Sequence, residues 1–270
     1  RQMCIRDRGR CVHINKLFSI EGQCAVVIGG SGKIGFPMAE ALAEAKARVY
    51  IASRNPDNYQ PAVDRLKLQG LDVDGVTLDQ SNEDSVLNAI ESISKDYKSP
   101  DILINCACSR PMKNFFHDTV ENWDQSMQIN GRGIFITSRA FGESMAKKGK
   151  GSIINISSIY GMVAPDMSIY EGSNFETEPD YAFLKGGIIS FSKYLSSYYS
   201  KKGVRVNCIS PGGFYNNQPE PFLSKYIAKT PMGRMAEHDD MKGIALFLAS
   251  DASKYITGSV VAVDGGWTVV

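Results

Sequence analysis

The chain has 270 residues, room for one large domain or two small ones, and its 43% hydrophobic and 22% charged residues are an ordinary globular balance that excludes disorder, collagen and coiled coil. A net charge of +1 gives no basic field to hold nucleic acid or an anionic membrane, and no apolar run is long enough to span a bilayer. The six cysteines, at 4, 11, 24, 106, 108 and 208, make no paired metal motif, so no metal and reduced, mostly buried thiols in a cytoplasmic protein are expected.

The opening RQMCIRDRGR is polar and basic, lacks the apolar segment of a signal peptide, and resembles translated adaptor read-through. Residues 1–15 are therefore expected to be a non-native or disordered leader, and 16–270 a single domain. From Leu17 onward, short apolar runs alternate with helical stretches. CAVVIGG (24–30) has the continuous apolar character of a buried parallel strand. A helix is expected over 35–47, a strand over 48–53, a helix over 62–70 ending at Gly70, and a strand over 74–79. The next helix, 83–97, has Ser81 as its expected N-cap, and a fourth strand covers 101–107. A long helix over 123–147, a strand over 151–158, a helix over 180–201, a strand over 204–210, a helix near 239–249 and a strand over 259–266 complete the pattern. Strands alternating with helices predict an α/β fold: a Rossmann-type, doubly wound parallel sheet of about seven strands with helices on both faces.

Between the first strand and the first long helix, VVIGGSGKIG places Gly29, Gly32 and Gly35 where a tight turn, a close-approaching pyrophosphate and helix–strand packing all call for glycine. The second strand ends in Ser53 and Arg54, where an acid would bond the 2′-hydroxyl of NAD. An arginine there suits the 2′-phosphate of NADP, so NADP is favoured over NAD.

Tyr181 and Lys185 stand at i and i+4, on one face of a helix. Tyr198 and Lys202 repeat the spacing at the far end of the same helix, and Tyr170 has no lysine partner. Tyr181 opens its helix at the sheet edge where the strand IINISS also ends, in Ser157 and Ser158, which makes it the functional candidate.

At this point the chain resembles the single-domain branch of the short-chain dehydrogenase/reductase family. IGGSGKIG, INCA, QINGRGIF, GSIINISSIYG, YAFLK, RVNCISPGG and ASKYITGSVVAVDGG follow one another in family order. The resemblance implies an NAD(P)-dependent oxidoreductase interconverting a secondary alcohol and a ketone, with Asn130, Ser158, Tyr181 and Lys185 as catalytic tetrad. A free phenol titrates near 10 (about), and a lysine ammonium and a nicotinamide cation would favour its phenolate. Tyr181 would exchange a proton with the substrate oxygen, Ser158 would bond that oxygen, and Lys185 would hold the nicotinamide ribose. Asn130 would position a relay water. The resemblance also places Gly29, Ser31, Ile34 and Gly35 at the phosphates, Asp79 near the adenine, Asn105 and Ala107 beside the adenosine, and Pro211 and Gly212 near the nicotinamide. Gly32, Lys33, Ser53 and Arg54 complete the expected cofactor set. Family members are homodimers or homotetramers built through the long helices and C-terminal strand, and the tail GGWTVV fits burial at such an interface.

Four departures stand out. Lys33 occupies a position usually glycine, where it either reaches a phosphate or is solvated. Cys106 and Cys108 replace an asparagine and a glycine, so Cys108 must tolerate a glycine-like conformation or the backbone must differ. Asn216 stands for an expected threonine. Finally, the gap from Ser158 to Tyr181 is widened by a loop-like insertion over 170–180, expected to bulge over the active-site mouth. Its acids Glu171, Glu176, Glu178 and Asp180 either bond hydroxyls of a polar substrate or face solvent. The insertion and the segment 214–237 resemble reductases of bacterial surface-sugar and flagellin-glycan pathways, which implies a small sugar or sugar-phosphate substrate, with Arg110, Lys113, Lys225 and Arg234 available to a phosphate. The alternatives are a 3-oxoacyl-thioester reductase and a catalytically inactive nucleotide-sensing protein on the same fold.

Overall fold

The computed structural model describes residues 12–95, 97, 99–174 and 176–270. The first eleven residues, most of the expected leader, lie outside these; a short helix α1 (Ile14–Phe18) then leads into the sheet, with Phe18 against Phe247. In chain order follow β1 (Cys24–Ile28), α2 (Gly35–Glu44), β2 (Arg48–Ser53), α3 (Pro56–Lys67), β3 (Val73–Thr77), α4 (Glu83–Ser94) and β4 (Ile102–Asn105). Next come α5 (Val120–Ser126), α6 (Arg132–Lys148), β5 (Gly151–Ile156), α7 (Pro179–Tyr199), β6 (Val204–Pro211), α8 (Phe222–Lys229), α9 (Lys242–Ala249) and β7 (Val260–Val263).

All strand pairings are parallel, and the sheet runs β3-β2-β1-β4-β5-β6-β7, the doubly wound order expected from the sequence. Chain direction across the sheet reverses between β1 and β4, and that switch point opens a crevice beyond the carboxyl ends of the strands. Strand periodicity divides the core. Ala25 and Val27 of β1 join α2, α3 and α9 on one face, while Cys24, Val26 and Ile28 join α4, α6 and α7 on the other. Every residue of β1 is buried, which is why the strand reads as an unbroken apolar run.

Element boundaries differ from the sequence expectations in instructive ways. Helix α3 begins six residues early, because Asn55 accepts a hydrogen bond from the Asp57 amide and Pro56 occupies the first helical position, where no N–H is needed. The N-cap of α4 is Asn82, not Ser81; Ser81 instead donates its hydroxyl and amide to Asp79. The long helix expected over 123–147 is interrupted by a π-helical turn, Met127–Gly131, that carries Asn130. Such turns let a helix change phase and are frequent at functional sites. No helix among the described residues is long and apolar enough to cross a membrane.

Candidate active site

The crevice at the switch point has a volume of about 520 Å³ and is lined by the glycine loop, the end of β2 and the turn after β4. Gly29 has φ +79°, and a Cβ there would meet the Ala107 backbone at 2.7 Å. A Cβ on Gly35 would lie 2.2 Å from the Gly29 carbonyl oxygen. These two glycines are thus fixed by the protein's own packing. Gly32 is not: its Cβ would meet only the Gly29 oxygen at 3.3 Å. Helix α2 starts without a side-chain cap, Ile34 standing at the N-cap position, and its Phe36 amide bonds back to the Gly32 carbonyl at 2.8 Å. A narrow loop and an uncapped helix start suit the pyrophosphate of a dinucleotide.

Of the expected cofactor residues, Gly29, Ser31, Gly32, Lys33, Ile34 and Gly35 line this crevice, as do Ser53, Arg54, Asp79 and Ala107. Three do not. Asn105 is buried beneath, its amide donating to Ser138 and to Asn155 at 2.8 Å, so it braces β4 against β5. Pro211 and Gly212 end β6, and Gly212 borders a separate cavity with Tyr226 and Asp264. Lys33 reaches across to the Tyr215 carbonyl at 3.2 Å, tying the loop to the segment after β6. Cys108 is absent from the described residues with positive φ, so the turn after β4 takes a different backbone course rather than forcing a cysteine into glycine's conformation. Burial pushes the Cys106 thiol up to about 12, which favours its protonated form. Asn58, Gln80 and Ile129 also line the crevice; their own sequence surroundings gave no signal of it.

At the neighbouring end of β5, Lys185 and Tyr181 of α7 approach the strand end that Ser157 and Ser158 follow. The Lys185 ammonium donates to the Ile156 carbonyl at 2.9 Å and lies 5.5 Å from the centre of the Tyr181 ring. Ser157 donates to the Lys185 carbonyl at 2.7 Å, locking α7 onto the strand end. Ser158 is 6% exposed and accepts a bond from the Tyr160 amide. Gly161 permits this contact, since a Cβ there would stand 2.6 Å from the Lys185 backbone and the Ser157 hydroxyl. Asn130 joins from the π turn: its carboxamide oxygen accepts from the Ser109 amide and its NH2 group donates to the Ser109 carbonyl, both at 2.8 Å, and to Ser126. Its side chain thus fastens the turn after β4, with both amide hydrogens spent and one acceptor position left on the oxygen.

The insertion resolves into two parts. Tyr170 is buried, its ring 5.1 Å from that of Phe222, and its hydroxyl shares a 2.7 Å hydrogen bond with Tyr160. Burial pushes its phenol up to about 12, far from service as a base near neutrality. Lys225 donates to the carbonyls of Ser168 and Glu171, and Lys229 pairs with Asp166, so this first part is a strut beneath α8. The second part returns to Tyr181. Glu178 stands at the N-cap position of α7 without a side-chain capping bond and pairs with Arg110 at 2.6 Å, and the Arg110 guanidinium lies over the Tyr181 ring, 3.8 Å from its centre. Asp180, 2% exposed, accepts from Ser126. Of the cations offered to a phosphate, Arg110 pairs with Glu178, Arg234 is held bidentately by Asp240, and Lys225 is occupied as above.

A glycine-lined crevice at the switch point of this sheet order, with a buried lysine, a tyrosine and two serines at the end of β5, is the arrangement of a doubly wound α/β nucleotide-binding class. A family model described as Enoyl-(Acyl carrier protein) reductase matches residues 30–268. The 3-oxoacyl-[acyl-carrier-protein] reductase FabG of Chlamydia trachomatis is 35% identical over 247 residues, covering 90% of this chain and 96% of that protein. A gluconate 5-dehydrogenase from Burkholderia cenocepacia, solved with NADP and tartrate, superposes with a TM-score of 0.86 at 28% identity over 96% of this chain and all of that one (100%). A short-chain dehydrogenase from Leptospira borgpetersenii with bound NAD+ superposes at 0.84 and 35% identity, covering 97% of this chain and 99% of that one. The chain belongs to the short-chain dehydrogenase/reductase family. It is an oxidoreductase acting at the alcohol–ketone level.

Proposed function

We propose that this enzyme interconverts a secondary alcohol and a ketone on a small, polyhydroxylated, sugar-derived substrate, with NADP as preferred cofactor and NAD as the alternative. The observation that carries the reading is the Lys185 ammonium, fixed by the Ile156 carbonyl just before the serine pair and 5.5 Å from the Tyr181 ring centre. The cofactor, when bound, supplies or accepts the hydride. In the reducing direction Tyr181 gives its hydroxyl proton to the carbonyl oxygen as that oxygen gains charge. Ser158 donates a hydrogen bond to the same oxygen, and Lys185 keeps positive charge beside the phenol as its proton leaves. Asn130 acts at one remove, holding the turn after β4. The uncapped start of α2 and the glycine loop hold the pyrophosphate, and residues 16–270 work as one domain.

A neutral polyol or keto-sugar suits the mouth better than a sugar phosphate, because three of the four candidate cations are already engaged by carboxylates or carbonyls. The likeness to a 3-oxoacyl reductase keeps that reading as the alternative. NADPH consumption with keto-hexoses and with an acetoacetyl thioester tests the two directly, and turnover of the thioester alone sinks the sugar reading.

The Arg54 side chain borders the crevice and has no protein partner among the described residues. Arg54→Ala is expected to weaken NADPH binding about 10- to 100-fold while NADH binding stays within about twofold, as the loss of a charge-assisted phosphate contact predicts. Fluorescence titration of each cofactor checks this without turnover, and equal losses for both would remove the NADP preference.

Assembly as a homodimer or homotetramer, in the cytoplasm, completes the proposal. Phe135, Tyr194 and Tyr198 of α6 and α7 are exposed, and Phe191 links them in a ladder of rings about 6 Å apart. The C-terminal Trp267 does not join such a surface: it is buried within its own chain, stacked on Tyr226 at 4.4 Å. Tyr194→Glu should shift the enzyme to a smaller species in sedimentation velocity, and an unchanged sedimentation coefficient would move the interface elsewhere.

A further inference from the structure

The Arg110–Glu178 pair has no assigned task. Its arginine comes from the turn after β4, whose Ser109 is held at both backbone N–H and carbonyl by Asn130. Its glutamate sits at the N-cap of α7, with Pro179 next and the Tyr181 amide bonded back to the Glu178 carbonyl at 3.2 Å. Both backbones are thus tied by hydrogen bonds near Tyr181. The side chains meet at 2.6 Å, and the guanidinium covers one face of the Tyr181 ring at 3.8 Å.

The pair is only partly used. A guanidinium carries five N–H donors, and among the described residues Arg110 spends one nitrogen on Glu178. The second Glu178 oxygen accepts nothing from a described residue. Arg110 is 42% exposed at its side chain and Glu178 14%, so these groups remain within reach from the mouth. A fixed donor set beside a fixed acceptor matches a hydroxyl, which donates and accepts at once, better than it matches an anion, which the carboxylate repels.

Resting on the proposed polyol chemistry, we propose that Arg110 and Glu178 form a specificity element that reads the hydroxyl next to the reacting carbon. The substrate hydroxyl donates to Glu178 and accepts from Arg110 while its neighbouring carbonyl lies at Tyr181. An apolar ketone leaves both charges without that partner and is disfavoured.

The test compares keto-hexoses with their 1-deoxy and 3-deoxy counterparts in the intact enzyme, for wild type, Arg110→Met and Glu178→Gln, following NADPH consumption. The wild type should prefer at least one keto-hexose over a deoxy counterpart by about tenfold or more, and both variants should lose most of that preference through the parent sugar alone. NADPH binding by fluorescence, expected unchanged, reports that each variant is folded. Two outcomes overturn the proposal while leaving the oxidoreductase chemistry: a wild type without the preference, or variants that lose activity equally on sugar and deoxy sugar, which makes the pair a brace for the Tyr181 ring. A wild type that reduces no keto-hexose overturns the polyol reading together with the proposal.

Discussion

Tyr181→Phe is expected to lower turnover by about 10³-fold, with cofactor affinity and thermal stability nearly unchanged. The substitution removes one hydroxyl and keeps the ring, so the Arg110 stack on one face and the α7 register set by Ser157 and Lys185 persist. What is lost is the group that moves a proton to the nascent alkoxide. Tyr170→Phe supplies the control. That hydroxyl is committed to Tyr160 in a buried pocket, so its loss should cost about 1 kcal/mol of stability and leave kcat within a small factor. Steady-state kinetics and a thermal melt on both variants decide the matter. A Tyr181→Phe enzyme that keeps a tenth of its activity would end the assignment.

Gly35→Ala should weaken cofactor binding by about tenfold or more in a chain that still folds. The added methyl would stand 2.2 Å from the Gly29 carbonyl oxygen and 2.9 Å from the Gly30 Cα, against backbone that has no rotamer to yield. Helix α2 must back away from the loop, at a cost of about 1–3 kcal/mol typical of overpacking. The same displacement moves the uncapped amides of α2 away from where a pyrophosphate would sit, so dinucleotide affinity should fall by about tenfold or more. Gly32→Ala makes one tight contact, 3.3 Å to the Gly29 oxygen, and should cost much less stability than Gly35→Ala. Calorimetric titration of NADPH against both variants measures the contrast; tight binding by Gly35→Ala would show that the loop does not hold the phosphates.

Much of this was legible beforehand. The all-buried β1 and the alternating helices gave the parallel sheet, and most of the expected cofactor residues do share one crevice. Asn105 does not line that crevice, and a buried polar residue at a strand end looks alike whether it meets a ligand or, as here, a neighbouring strand. The missed start of α3 has a similar origin: Pro61 reads as a breaker, yet the helix runs through it once Asn55 and Pro56 have begun it. The π turn at 127–131 has no mark in the sequence; it coincides with bonds from Asn130 and the adjoining Ser126 to partners far along the chain.

The amino-acid order alone singled out the residues proposed to carry chemistry: glycines at a strand–helix turn, an arginine after β2, and a tyrosine and lysine one helical turn apart. These are local facts, set by periodicity and by what each side chain can do. Only the tertiary structure decided what the insertion is for. Tyr170 became a buried strut and Glu178 the partner of Arg110 because contacts between residues 50 to 70 positions apart depend on how the sheet brings chain segments together, and no local pattern encodes that meeting.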